Sequence, residues 1–144
     1  MKKNKIRPLA ICVFRKNNKI LVAEGYDPVK GQTFYRPLGG AIEFGEPAEQ
    51  TVRRELMEEI GAEVGELKYL GALENIFVFN GEAGHEIVLV YDGVLKEAGL
   101  YEQAEVEGKE AEVNESFKAV WKRLDEFVEG KSILYPTGLL EMLT

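Results

Sequence analysis

Residues 6–15 and 19–25 are nearly continuous apolar, β-branched runs on either side of Asn17-Asn18, which predicts two buried strands joined by a tight turn. A loop is expected from Tyr26 to Thr33. Residues 34–44 read as a short extended segment, broken by Pro37 and by the pair Gly39-Gly40, where the backbone is expected to turn sharply. From Ala48 to Ile60 the period lengthens, with Val52, Leu56 and Ile60 recurring every fourth position and no Gly or Pro between. Pro47 suits the first turn of such a helix, and Gly61 suits the left-handed position just past its end. Residues 67–79 and 85–95 predict two strands folded back at Asn80-Gly81, a pair that favours a type I′ turn. The stretch from Glu97 to Glu115 is polar and acidic, contains Gly99 and Gly108, and is expected to be a mobile loop. Residues 116–123 predict a last core strand, followed by a short helix near 124–129 and a terminal one from about Pro136.

With 144 residues and no internal repeat, these elements are expected to form one domain over 1–144. Hydrophobic residues at 45% and charged residues at 30% fit a globular chain and exclude a disordered or fibrous one. Eighteen basic residues against 25 acidic give a net charge of −7, which disfavours general nucleic-acid binding. The Lys2-Lys3-Lys5-Arg7 cluster reads as a solvated tail. The single cysteine, Cys12, lies in an apolar run and is expected in the core. No apolar stretch approaches a membrane span, and the apolar part of the N-terminal segment is too short for a signal peptide, so a cytoplasmic location and no membrane partner are expected.

Glu55, Glu58 and Glu59 stand at i, i+3 and i+4 of the predicted helix, within an arc of roughly 100°. Val52, Leu56 and Ile60 form a separate stripe suited to docking on a sheet. Like charges at those spacings each disfavour the helix by roughly 0.2–0.5 kcal/mol, and carboxylates in the last turn also oppose the helix dipole. Hard divalent cations with oxygen ligands would relieve this strain. Three glutamates alone are more readily a solvated face on an acidic protein.

Their context decides the matter: Gly40, five residues, Glu46, seven residues, then Arg54-Glu55-Leu56-Met57-Glu58-Glu59-Ile60-Gly61. This resembles the Nudix box, GX5EX7REUXEEXGU with U a bulky aliphatic residue, at every position but the last, where Ala62 stands. Seven fixed residues at roughly 5–7% background each would recur by chance in about one chain in a million. The resemblance implies an α+β Nudix fold, a mixed β-sheet sandwiched between α-helices. It also implies a Mg²⁺- or Mn²⁺-dependent hydrolase that cleaves the diphosphate linkage of a nucleoside diphosphate derivative or nucleoside triphosphate.

By the same resemblance, Glu55 and Glu59 are the principal metal ligands, and Glu58 is a third ligand or the group that deprotonates the attacking water. The resemblance also assigns the carbonyl of Gly39 to the metal shell. Glu46 and Arg54 should pair to tie the loop to the helix, with Gly40 and Gly61 supporting the site. Many members use a further acidic residue on a loop before the last core strand, for which Glu115 is the first candidate and Glu112 the second. His85 is either a substrate contact or a hydrogen-bonded structural histidine, and alternation puts it on the face opposite Glu86. Among Phe34, Tyr35, Phe44, Phe77, Phe79 and Trp121, which could supply a base-stacking surface, Phe77 and Phe79 are the expected substrate contacts, with Arg36 and His85 as further candidates.

The family's substrate markers are missing. No proline lies between Pro47 and Pro136, where members acting on ADP-ribose often carry one, and Phe77, Val78 and Phe79 stand where dinucleoside polyphosphate hydrolases often carry a tyrosine. The runs Glu74-Asn75-Ile76-Phe77 and His85-Glu86-Ile87 look like those of a subgroup within the family. Two rival classes are a non-hydrolytic nucleotide-binding module, which usually has a degraded box, and an allylic-diphosphate isomerase, which needs a cysteine in the pocket. The 67–95 hairpin offers an edge for a homodimer.

Overall fold

The computed structural model describes residues 4–110 and 114–144. Over these the chain runs β1 (Ile6–Lys16), β2 (Lys19–Asp27), β3 (Gln32–Arg36), β4 (Leu38–Ala41), α1 (Ala48–Ile60), β5 (Val64–Phe79), β6 (Glu82–Leu95), a 3-10 turn (Ala98–Glu102), β7 (Glu105–Glu110), β8 (Glu115–Arg123), α2 (Leu124–Val128) and α3 (Leu139–Leu143). Successive side chains of β1 enter two different cores: Ala10, Cys12 and Phe14 on one face, Leu9, Ile11 and Val13 on the other. A strand covered on both faces reads as an unbroken apolar run, as residues 6–15 do.

The sheet has the order β5-β6-β1-β2-β8-β7, with β3 on β2 and β4 on β1. β1 and β6 run parallel, from Ile6↔His85 to Phe14↔Gly93, whereas the other pairs are antiparallel, so the sheet is mixed. Val52 and Leu56 of α1 pack on the first face, and Leu124 and Phe127 of α2 with Leu139 and Leu143 of α3 pack on the second. The layers are therefore helix, sheet, helix, as expected. No helix among the described residues is long and apolar enough to cross a membrane.

The bounds of α1 are those the sequence predicts, and Gly61 takes φ +64°, with its N–H donated to the Met57 carbonyl at 3.0 Å. Asn80 and Gly81 both have positive φ, as a type I′ turn requires. Residues 34–44 split into two strands on different partners, since β3 pairs with β2 and β4 crosses to β1. The larger difference is at 97–115, which is not a mobile loop where it is described. Its 3-10 turn is pinned by stacking of Tyr101 on Trp121 at 5.3 Å, by Trp121 Nε1 donating to the Leu100 carbonyl, and by the Leu95 N–H donating to Tyr101 Oη. β7 then pairs with β8 from Glu105↔Val120 to Glu110↔Glu115.

Candidate active site

Arg54, at the middle of α1, organises the loop that precedes the helix. Its Nε donates to Glu46 Oε2 at 2.7 Å and its Nη2 to Glu46 Oε1 at 3.0 Å, a two-pronged pairing that only a planar guanidinium can make. The same Nη2 donates to the Ala41 carbonyl at 3.1 Å, so one side chain ties helix, loop and β4 together. Thr51 Oγ1 adds a hydrogen bond to Glu46 at 2.7 Å. The bonds from Arg54 and then Thr51 hold the Glu46 carboxyl down to about 2. The remaining prong, Nη1, donates to Glu55 Oε1 at 3.1 Å and to Glu58 Oε2 at 3.3 Å.

The three box glutamates do not share one environment. Glu58 is exposed, Glu55 is half-buried, and Glu59 is only 6% exposed. Burial, followed by the carboxylates of Glu110 and Glu55, raises the Glu59 carboxyl to about 9, and its Oε1 is buried with no hydrogen-bond partner. Burial also raises Glu55, although Arg54 partly offsets this. A buried anion without a partner is costly. The all-oxygen donor set fits a hard divalent cation, although no group of three or more His, Cys, Asp or Glu among the described residues is gathered closely enough to hold an ion.

Gly40 makes room for Glu55. A Cβ built on Gly40 would stand 2.3 Å from the carboxylate carbon and Oε1 of Glu55, so the acid lies against bare β4 backbone. Gly39 serves the sheet instead, since its φ is +154° and a Cβ there would stand 2.2 Å from the Ala10 carbonyl oxygen.

Reached through Glu110 and Arg36, which bear on Glu59, a cavity of about 470 Å³ has a lining that includes Arg36, Phe34, Phe77, Phe79, Glu110 and Glu115. Three of its walls follow one device, a phenylalanine directly across the ladder from a glycine: Gly25↔Phe34, Phe77↔Gly84 and Gly108↔Phe117. In each pair a Cβ on the glycine would fall within 2.3–2.6 Å of the ring, so the ring lies across the neighbouring strand.

The sequence-predicted residues are thus partly brought together. Glu46, Arg54, Glu55, Glu58 and Gly40 meet, and Arg36, Phe77, Phe79 and Glu115 line the cavity. His85 does not line it: its ring lies on the other face of β6, with Nε2 3.9 Å from Glu74 Oε2. Phe44 is fully exposed and Trp121 is stacked on Tyr101. Glu112 lies outside the described residues. Sequence reasoning missed Glu110, the carboxylate set against Glu59. Its signal was the alternation Val106, Gly108, Glu110, obscured by the surrounding glutamates.

A model of the NUDIX domain matches residues 5–137, and the chain belongs to the Nudix family. Over 68 residues it is 38% identical to a NAD-capped RNA hydrolase NudC of Vibrio atlanticus, covering 47% of this chain and 24% of that one. The chain thus spans about a quarter of the length of such curated relatives. A MutT NUDIX hydrolase from Burkholderia pseudomallei superposes with a TM-score of 0.66 at 23% identity, covering 98% of this chain and 100% of that one. A NUDIX hydrolase from Nitrosomonas europaea gives 0.65 at 16% identity, covering 96% and 86%. These structures share the α+β Nudix fold.

Proposed function

We propose that this chain is a divalent-metal-dependent pyrophosphohydrolase that cleaves the diphosphate linkage of a nucleoside triphosphate or nucleoside diphosphate derivative. The observation that carries this reading is the buried carboxyl of Glu59, whose Oε1 has no hydrogen-bond partner and which is set against Glu110, itself a lining residue of the aromatic-walled cavity. A fold retains such a group at a cost in stability, and perturbed acids beside a cleft are the mark of a working site.

Glu55 and Glu59, with Glu58 and the Gly39 carbonyl, would hold Mg²⁺ or Mn²⁺. When bound, the ion neutralises phosphate oxygens and acidifies a water. The protein's own groups do the rest. Arg54 fixes Glu46 and the loop, so the backbone of β4 is held against the helix. Arg36 lines the cavity and bears electrostatically on Glu59, which places a cation where an anionic substrate must enter. Glu110 takes the part of the additional acid expected at Glu115 or Glu112, with Glu58 and Glu115 the other acceptors for the water's proton. The isomerase alternative is weakened by Cys12, which packs under α1 outside the cavity, its thiol pushed far up by burial. A cytoplasmic location and a homodimer through the β5 edge belong to the same reading.

The test is phosphate release, in a phosphatase-coupled assay, from nucleoside triphosphates, nucleotide sugars, ADP-ribose, dinucleoside polyphosphates and NADH. The names of the curated relatives add NAD-capped RNA to that panel. Turnover that needs Mg²⁺ or Mn²⁺ and stops with chelator is expected. No turnover, with a panel member still raising the melting temperature, would favour a nucleotide-binding module.

A further inference from the structure

Asn75 and Glu86 belong to the two runs that stand out in the sequence, and the chemistry above does not use them. They face each other across β5 and β6, are 6% and 4% exposed, and both line the cavity. A buried carboxylate is costly unless well paired, and Glu86 is poorly paired. Its Oε1 accepts one long hydrogen bond, 3.4 Å, from Asn75 Nδ2, and its Oε2 stands 3.7 Å from Arg7 Nη1. Asn75 Oδ1 accepts from the Thr137 N–H at 3.4 Å, which fixes the direction of the amide and leaves its second Nδ2 hydrogen unclaimed.

The cavity therefore offers, side by side, a carboxylate with free lone pairs and one amide donor. Its walls are aromatic: Phe34 meets Phe79 and Tyr135 edge-on, with ring centroids 5.9 and 5.5 Å away. Such walls take a planar ring. The edge that complements the polar floor is a carbonyl acceptor beside two N–H donors, which is the edge of guanine. Adenine would turn a ring-nitrogen lone pair toward Glu86, and uracil flanks its single N–H with two carbonyls. Either would set lone pairs against a buried carboxylate.

We propose that Glu86 and Asn75 select a guanine base, Glu86 accepting from the ring N–H and the exocyclic amino group while Asn75 donates to the carbonyl. This rests on the hydrolase reading for the fate of the substrate, but the recognition itself needs no turnover. Arg7 acts through Glu86, as a positioning residue whose Nη1 stands 3.7 Å from the carboxylate's Oε2.

The experiment is calorimetric binding of GMP, IMP, AMP and UMP to the whole protein without metal. GMP is expected to bind about tenfold or more tightly than IMP, which lacks only the exocyclic amino group, and than AMP or UMP. In Glu86→Gln, which keeps the shape, that preference is expected to shrink to about threefold or less. Equal binding of the four nucleotides, no binding, or a guanine preference that survives Glu86→Gln overturns the proposal. Should that variant fail to fold, the GMP-to-IMP ratio of the unaltered protein decides alone. Guanine preference in a protein that hydrolyses nothing would support this proposal and count against the hydrolase reading.

Discussion

The carboxylate of Glu55 occupies the space a side chain at Gly40 would need, 2.3 Å from where its Cβ would stand. The first residue of the box is therefore glycine for the sake of an acid fifteen positions later. Gly40 has no positive φ, so alanine suits its backbone and even removes some freedom from the unfolded chain. Gly40→Ala is expected to leave the melting temperature almost unchanged while displacing Glu55. A misplacement of about 1 Å at a reacting centre can cost roughly a hundredfold, so kcat should fall by tenfold or more. Unchanged kcat in a folded variant would contradict the placement of Glu55.

Glu59 sets stability against function. Its carboxyl is raised from 4.5 to about 9, so between those values the folded chain holds a proton that the unfolded chain has released. Stability then falls as pH rises through that window, the contribution being fully present only below the unfolded value. Glu59→Gln removes the titration, and the metal-free variant is expected to melt higher than the parent at pH 8, with a flatter profile from pH 5 to 9. Its hydrolytic activity should drop by roughly a hundredfold or more. Thermal melts across pH, paired with turnover, read both effects.

The pair of Glu46 with Arg54 has the opposite sign. Glu46 is held down to about 2, so its contribution is present above the unfolded value of 4.5 and is lost as pH falls toward 2. Arg54→Lys keeps the charge but cannot grip both carboxylate oxygens and the Ala41 carbonyl at once. The variant is expected to melt lower than the parent at pH 7, with the gap closing near pH 2, and to lose activity more than stability.

Much of this site was legible before the fold was seen. Fixed spacing carried the box, the 3.6-residue period and flanking Pro47 and Gly61 carried α1, and Asn80-Gly81 carried the hairpin. Two things were hidden for physical reasons. Strand β7 exists because β8 pairs with it, and such pairing leaves little mark on a run as acidic as 105–110. Glu110 was hidden with it. The division of α1 into a core side and an acidic side was also too simple: Thr51, Val52, Leu56 and Glu59 are the buried set, because β7 lies over part of the helix face that charge alone marks as solvated.

The glycines opposite Phe34, Phe77 and Phe117 give the cavity its width, and this can be tested apart from the chemistry. At Gly84 a Cβ would fall 2.3 Å from the tip of the Phe77 ring, and the position has no positive φ to penalise alanine. Gly84→Ala must therefore move the ring rather than the backbone, and Phe77 lines the cavity. The box glutamates lie on a different element, so the substitution leaves them in place. KM is expected to rise about fivefold, roughly what 1 kcal/mol of lost ring contact would give, with kcat nearly unchanged. Steady-state kinetics on whichever nucleotide the panel identifies provides the measurement. A fall in kcat with KM unchanged would show instead that Phe77 bears on the reacting groups rather than on the base-binding walls.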